Sequence, residues 1–444
     1  MPGPGNKVYP QDESNPGATV MTAELNWAGN YRFQAGRVEL PASIEELRRV
    51  VASARCVRAV GTRHSFNGLA DPGTGGALVS LARMPARVDV DSAACEVRVA
   101  AGMRYGDVAA VLERSGWGLG NLASLPHISV AGAIATGTHG SGDANGSLAT
   151  EVTGLRILRA DGEEVALRRE DKNFNGAVVS LGALGVVTEV TLRIRPSFRM
   201  QQSVIVAASW DRVLEDMSMV TAAAYSVSLF TTWQGPNVGQ IWVKELATDE
   251  NARGTAPAAT AVVKKVGGRL ATKQVHMLPG MRAANCTRQL GLPGPWNERL
   301  PHFRLNFTPS NGEEIQSEYL LDRRHAVNAI EAVRRIGNQL TDVLQVSEIR
   351  SIAADTLWLS GAYGRDTIGL HFTWRRDQEA VESALAHIEK ALEPYRPRPH
   401  WGKAFLHHEG GLSGLYPKAS DFRYLTESFD PNRRFWNSYL QQSF

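Results

Sequence analysis

Apolar residues return with helical spacing in the stretch PASIEELRRVVASARCVRAVG, where Ile44, Leu47, Val50, Val51 and Ala54 make one stripe. Ser43 and Glu46 stand at the start of this stripe in the S-x-x-E spacing of a capping box. The pattern predicts a helix feeding a short strand, Val57 to Val60, stopped by Gly61. The next segment, GTRHSFNGLAD, is therefore a strand-end loop, where ligand-binding side chains tend to lie, and it carries His64. RVDVDSAACEVRVAAG alternates apolar and polar residues on both sides of a small polar turn, which predicts a hairpin. MRYGDVAAVLERSG predicts a helix with Val108, Val111 and Leu112 on one side and Gly116 as its stop. A second hairpin is expected in GLRILRADGEEVALRR, because Asp161-Gly162 separates two alternating runs. LGVVTEVTLRIRPSF is a further alternating strand ending at Pro196.

Up to residue 197 the pattern is α+β, with short strands and few helices, and without the βαβ train of a doubly wound sheet. Residues 200–400 mix longer strands with the helical run HAVNAIEAVRRIGNQL, whose apolar positions are Val327, Ile330 and Val333. This change of texture predicts a second domain, as the length of 444 residues allows. The first residues, MPGPGNKVYPQDESNPGAT, lack the apolar core of a signal peptide and read as a disordered tail over residues 1–25.

Composition narrows the function classes. A hydrophobic content of 43% and a charged content of 21% are those of an ordinary globular chain. A net charge of +3 gives no electrostatic footprint for nucleic acid. No apolar run has membrane-spanning length. Cys56, Cys95 and Cys286 are far apart, fit neither a zinc spacing nor a disulfide framework, and suit a reducing cytosol.

The densest candidate for chemistry is GNLASLPHISVAGAIATGTHGSG, Gly120 to Gly142. Its small residues let backbone approach a ligand closely, and its bare N–H groups and hydroxyls suit a pyrophosphate. Composition alone equally fits a small-residue segment packed tightly inside the domain. His64, His127 and His139 match no metal spacing, so no metal site is expected. In VSEIRSI, the two-residue repeat of a strand puts Glu348 and Arg350 on one face. GLHFTW does the same for His371 and Thr373. Such a face suits a polar ligand, although Glu-x-Arg by itself favours a solvent-facing strand. RPHWGKAF adds His400 and Lys403, and a lone lysine is ordinarily a surface residue.

Taken in order, RHSFN, ASLPHISVAG-x-x-ATGTHGSG, SEIR, HFTW, HWGK and FDPNRRFWNSYL resemble the vanillyl-alcohol-oxidase (PCMH-type) FAD flavoproteins, and within them the alditol oxidases. The resemblance runs from Asn26 to about Leu440. It implies a PCMH-type FAD-binding domain of two α/β subdomains over residues 26–197, and an α+β substrate (cap) domain over 198–398. Residues 399–444 would return to the FAD domain. It also implies that His64 bonds FAD covalently, in a loop Val60, Gly61, Thr62, Arg63, His64 and Ser65 that lies on the pyrophosphate. Many relatives have Gly where this chain has Arg63. Further cofactor contacts are expected from Ser124, Ser129, Gly132, Thr136, Gly137, Thr138, His139, Val187, His371 and His400. Ser124, Glu348, Arg350, Thr373 and Lys403 would hold the polyol, with Arg350 and Lys403 acting in catalysis. Ala123 is the candidate for the small residue on the flavin face that affects O2 entry.

The expected reaction is oxidation of the C1 hydroxyl of alditols such as xylitol and sorbitol, with O2 accepting the electrons to give H2O2, in a cytoplasmic monomer. A sugar-1,4-lactone oxidase or dehydrogenase is the alternative within the superfamily. A flavin-storing protein without turnover is the alternative outside it.

Overall fold

The computed structural model describes residues 25–248, 256–278, 280–306, 314–406 and 410–444. Residues 1–24 of the expected tail lie outside them. Among the described residues no helix is long and apolar enough to cross a membrane.

The chain begins with a small parallel sheet. Strand β1 (Arg37–Glu39), helix α1 (Ile44–Ser53), strand β2 (Val57–Val60) and strand β3 (Ala77–Ser80) assemble in the order β1-β3-β2. Ser43 caps α1 by accepting from the Glu46 N–H at 3.2 Å, while the Glu46 carboxylate takes the N–H of Ala42 at 2.8 Å. Leu47 and Val51 point the apolar stripe into the core. This parallel sheet was not expected from the sequence, because β1 is three residues long and shows no periodicity.

The hairpin β4 (Val88–Asp91) and β5 (Glu96–Ala100) leads through α2 (Tyr105–Arg114) and the short helix α3 (Val130–Ala135) to the second hairpin, β6 (Val152–Leu158) and β7 (Glu164–Arg168). Strand β8 (Val186–Arg193) then enters between the two hairpins, giving the antiparallel order β4-β5-β8-β6-β7.

Beyond Ile194 the strands lengthen. A large antiparallel sheet runs β9 (Arg199–Ser209), β11 (Asn237–Leu246), β10 (Ser226–Thr231), β13 (Leu344–Ile352), β14 (Thr367–Arg375), β12 (Glu314–Asp322) and β15 (Arg398–Pro399). Alternation decides its two faces. Ile349, Leu370, Phe372, Trp374 and Tyr319 belong to the main core, together with Ile330 and Val333 of α4 (Ala326–Arg335) and Leu385 and Ile388 of α5 (Gln378–Leu392). Glu348, Arg350, His371, Thr373 and Glu318 occupy the intervening positions and project from the opposite face. Contrary to the solvent-facing reading of Glu-x-Arg, both Glu348 and Arg350 are buried.

The C-terminal segment packs back against the first sheet. Val57 N–H donates to Arg434 O at 2.8 Å, and the Asn437 amide donates to the carbonyls of Gly68, Leu69 and Asp71. Arg58, 2% exposed, faces no carboxylate in these bonds. Its guanidinium donates to Leu69 O, Gly182 O and Phe435 O at 2.6–3.1 Å, and also to Leu181 O, joining three distant segments. Arg58→Met leaves these carbonyls buried without a donor and is expected to cost about 3 kcal/mol or more, since hydrogen bonds to charged groups are each worth about 1.5–3 kcal/mol. Urea unfolding followed by tryptophan fluorescence measures it, and an unchanged midpoint would contradict this role of Arg58.

Candidate active site

One long cavity connects the first sheet to the polar face of the large sheet. One end is lined by the loop Val60, Gly61, Thr62, Arg63, His64 and Ser65 together with Ser129, Gly132, Thr136, Thr138 and Val187. The other end carries Ser124, His139, Glu348, Arg350, His371, Thr373, His400 and Lys403. Of the site residues expected from the sequence, only Gly137 is off the wall. It turns the chain instead, with φ +67°.

At the loop end, the Ser129 side chain packs against bare glycine backbone. A Cβ on Gly61 would lie 1.9 Å from the Ser129 hydroxyl oxygen, and one on Gly132 would lie 2.7 Å from it. The wall there combines small residues with the hydroxyls of Thr62, Ser65, Ser129, Thr136 and Thr138, a donor set that fits a diphosphate. Arg63 adopts φ +63°, the left-handed region, which accounts for glycine being suited to this position. Its carbonyl accepts from Trp27 N–H at 2.9 Å.

His64 stacks on the Trp27 ring with centroids 4.6 Å apart. Its Nδ1 lies 3.1 Å from Thr62 O. Desolvation by the surrounding wall pushes the imidazole pKa down to about 4, so the ring is neutral. The Thr62 hydroxyl lies at the same 3.1 Å from Nδ1, and a neutral ring keeps one bare nitrogen whose lone pair is nucleophilic.

The loop end and the sheet end are clamped together. Phe66 N–H donates to Gly402 O at 2.8 Å, and the Asn67 amide donates to Trp401 O at 2.9 Å and Lys403 O at 2.8 Å. The segment carrying His64 thereby fixes the segment carrying Lys403.

Cross-strand register builds the polar end. Glu318, His371 and Glu348 are direct neighbours across β12, β14 and β13. Gly369 stands opposite Arg350 and has no side chain to block the way across β14. Arg350 Nη2 therefore reaches Glu318 Oε1 at 2.7 Å. Lys403 Nζ donates to Glu318 Oε2 at 2.7 Å and to His371 Nδ1 at 2.7 Å. His139 Nε2 lies 3.3 Å from Glu318 Oε1. Far from being a surface lysine, Lys403 has a side chain only 14% exposed.

Burial by itself would raise the Glu318 pKa, but the charges of Arg350 and Lys403 outweigh it and hold the carboxyl well below its usual range. The same balance keeps Glu348 ionised beside Arg350 and His302. Burial and the Lys403 charge hold His371 neutral, far below its ordinary pKa. Two carboxylates thus face two cations, and the cluster is close to neutral as a whole.

Glu318, His302 and Lys244 were not singled out by sequence reasoning. EIQSEYLLD carries Gln316 and Glu318 at the same two-residue spacing that drew attention to Glu348 and Arg350, and that is the signal that could have found Glu318. The third histidine of the sequence trio, His127, bonds Leu305 O at 2.7 Å. Among the described residues no group of three or more His, Cys, Asp or Glu is placed to hold a metal ion.

Comparison with known proteins agrees with this geometry. Residues 35–168 match the FAD binding domain family, and residues 307–443 match the D-arabinono-1,4-lactone oxidase family. The chain is 48% identical to an alditol oxidase of Streptomyces sp. over 425 residues, covering 95% of this chain and 99% of that one. It is 26% identical to an L-gulono-1,4-lactone dehydrogenase of Mycobacterium tuberculosis, covering 94% and 98%. The fold is shared with cholesterol oxidase from B. sterolicum, at a TM-score of 0.73 and 15% identity, covering 98% of this chain and 99% of that one. The chain belongs to the alditol oxidase family of FAD-binding oxidoreductases.

Proposed function

We propose that this chain oxidises the terminal C1 hydroxyl of alditols such as xylitol and sorbitol to the aldose. The observation that carries the reading is the polar end of the cavity, where buried donors and acceptors stand with unused valences. Arg350 Nε is buried with no hydrogen-bond partner among the described residues, and Glu348 Oε2 lies 3.7 Å from it. A substrate hydroxyl entering this end of the cavity can donate to the Glu348 carboxylate. A site built this way rejects analogues that lack the hydroxyl, because its own groups would stay unpaired. The 48% identity to an alditol oxidase supports the same substrate class.

FAD, when bound, supplies the hydride acceptor and passes the electrons to O2 as H2O2. In this reading residues 26–197 and 399–444 form the FAD-binding unit, with residues 198–398 as the cap. His64, neutral and with one bare ring nitrogen, would anchor the flavin covalently, and the small-residue wall from Gly61 to Ser129 would hold its diphosphate. His371 and His400 would line the flavin side of the substrate pocket, and the buried Ala123 would border the O2 path. Three free thiols fit a reducing cytoplasm.

The protein's share of the chemistry is charge and position. Lys403 Nζ spends two donors on Glu318 and His371, which leaves its third N–H for the substrate oxygen. Arg350 Nη1 lies 3.5 Å from the Ser124 hydroxyl and 3.4 Å from His139 O, on the cavity wall that also carries Lys403. As the C1 hydroxyl loses its proton, the two cations stabilise the developing alkoxide. The hydroxyl proton leaves to water in the cavity as the hydride departs, since the Lys403 charge that favours the alkoxide also keeps His371 neutral. Glu348 and Thr373 hold the inner hydroxyls.

Oxygen uptake with xylitol and sorbitol, set against gulono- and galactono-1,4-lactone, tests the substrate class. Uptake on the alditols is expected, and uptake confined to the lactones would replace this reading with the lactone one. Lys403→Ala is expected to lower kcat on xylitol by about 10²–10³, as loss of an oxyanion donor does, with FAD retained. Unchanged turnover would remove Lys403 from catalysis. Acid-precipitated wild type should stay yellow while His64→Ala loses its flavin to the supernatant. A colourless wild-type pellet would rule out the covalent link.

A further inference from the structure

Lys244 is a further buried cation, outside the cavity wall. It lies on β11, 1% exposed, on the face that also carries Glu348 and Arg350. Its partners are Leu300 O at 2.5 Å, Pro301 O at 3.2 Å and His302 Nδ1 at 3.0 Å. Three acceptors match the three N–H bonds of an ammonium group, with none left over. His302 uses its other nitrogen on the site, since Nε2 lies 2.7 Å from Glu348 Oε1. Its backbone N–H donates to Ser124 O at 3.1 Å, and its ring meets Trp242 and Phe230 edge-on with centroids 5.1 and 5.5 Å apart. Burial and the Lys244 charge push the His302 pKa down to about 4, so the ring is neutral and carries one proton.

The position of that one proton matters. With an ammonium donating to Nδ1, the proton must sit on Nε2 and point at Glu348. If Lys244 loses its proton, Nδ1 is free to carry the hydrogen, and a bare Nε2 then faces the Glu348 carboxylate, lone pair against lone pair. Glu348 would turn away, taking Oε2 from its place beside Arg350 Nε.

We infer that Lys244 is a positioning residue of the active site, which holds His302 in its Nε2–H tautomer so that Glu348 Oε1 is occupied and Oε2 is kept for an inner substrate hydroxyl. The inference rests on the alditol reading for the identity of that hydroxyl, but the tautomer does not depend on it. Burial lowers the Lys244 pKa to about 7 against the opposing pull of Glu348. The other groups that face it are Cys286, Arg350 and Arg299, along with His302 itself. A depressed amine pKa means that the ammonium is present below about 7 and lost as the pH rises through it.

The test has two readouts on FAD-loaded protein. In holoenzyme labelled with ¹⁵N-histidine, with His302→Gln used to assign the signal, His302 should show a protonated Nε2 and a bare Nδ1 below neutral pH. Lys244→Met should give a mixed or Nδ1–H form. The same tautomer in both proteins would overturn the inference. In steady-state kinetics on xylitol, Lys244→Met should raise KM by about tenfold, the worth of one hydrogen bond, with kcat within about twofold. The wild-type KM should rise between pH 6 and 9 and the methionine variant's should stay flat, with Lys244→Arg restoring a low, pH-independent KM. A fall in kcat with unchanged KM would overturn it. Wild type that turns over no alditol would defeat the substrate reading instead, and the tautomer measurement would still decide the role of Lys244.

Discussion

The structure of the site depends on Glu318, a carboxylate buried between two cations. Removing one charge from water costs several kcal/mol, and only close, well-bonded partners offset it. Glu318 meets that requirement with Arg350 on one oxygen and Lys403 on the other, both at 2.7 Å. The three residues come from β12, β13 and the segment after β15, so none of them can be placed correctly until the sheet register is set. Gly369 supplies the missing piece, since a Cβ there would lie 3.3 Å from Glu318 Oε1, the oxygen that Arg350 bonds. The result is a pair of cations whose geometry is fixed before substrate arrives. Such preorganisation lets charge stabilise an alkoxide without reorganisation at the moment of reaction.

The cofactor end is tied to this cluster through backbone. Asn67 reads the carbonyls of Trp401 and Lys403 from the loop that carries His64, and Arg58 reads four further carbonyls from the strand before it. Chain segments far apart in sequence thus meet in one scaffold around one cavity. Lys244 and His302 extend the logic along the same face of the sheet, where a hydrogen bond outside the pocket decides which oxygen of Glu348 the pocket receives.

Much of the local structure was legible in the sequence. The Ser43 cap, the two hairpins and the helix at Ala326–Arg335 follow from short-range pattern, because the forces that form them act within a few residues. What the pattern could not carry was pairing. Glu-x-Arg looks the same on a solvent-facing strand and on a buried one, so Glu348 and Arg350 needed their partners to be read correctly. Glu318 went unnoticed for the same reason, although Gln316 and Glu318 share the two-residue spacing of Glu348 and Arg350. Lys244 and His302 lie in segments without a local motif, and their meaning exists only in three dimensions. His64 was open on local grounds and gained a role from the order of distant motifs. The left-handed backbone at Arg63 belongs to the same class of fact, since a residue type does not announce its φ.

The claim at the centre of this account is that the polar end of the cavity presents an alditol hydroxyl to a bound flavin. Anaerobic mixing of the FAD-loaded protein with xylitol tests it most directly, with the visible flavin absorbance as the signal. The account predicts that the yellow absorbance bleaches with xylitol and returns when air is admitted. Absorbance that stays unchanged in the presence of saturating alditol would contradict it.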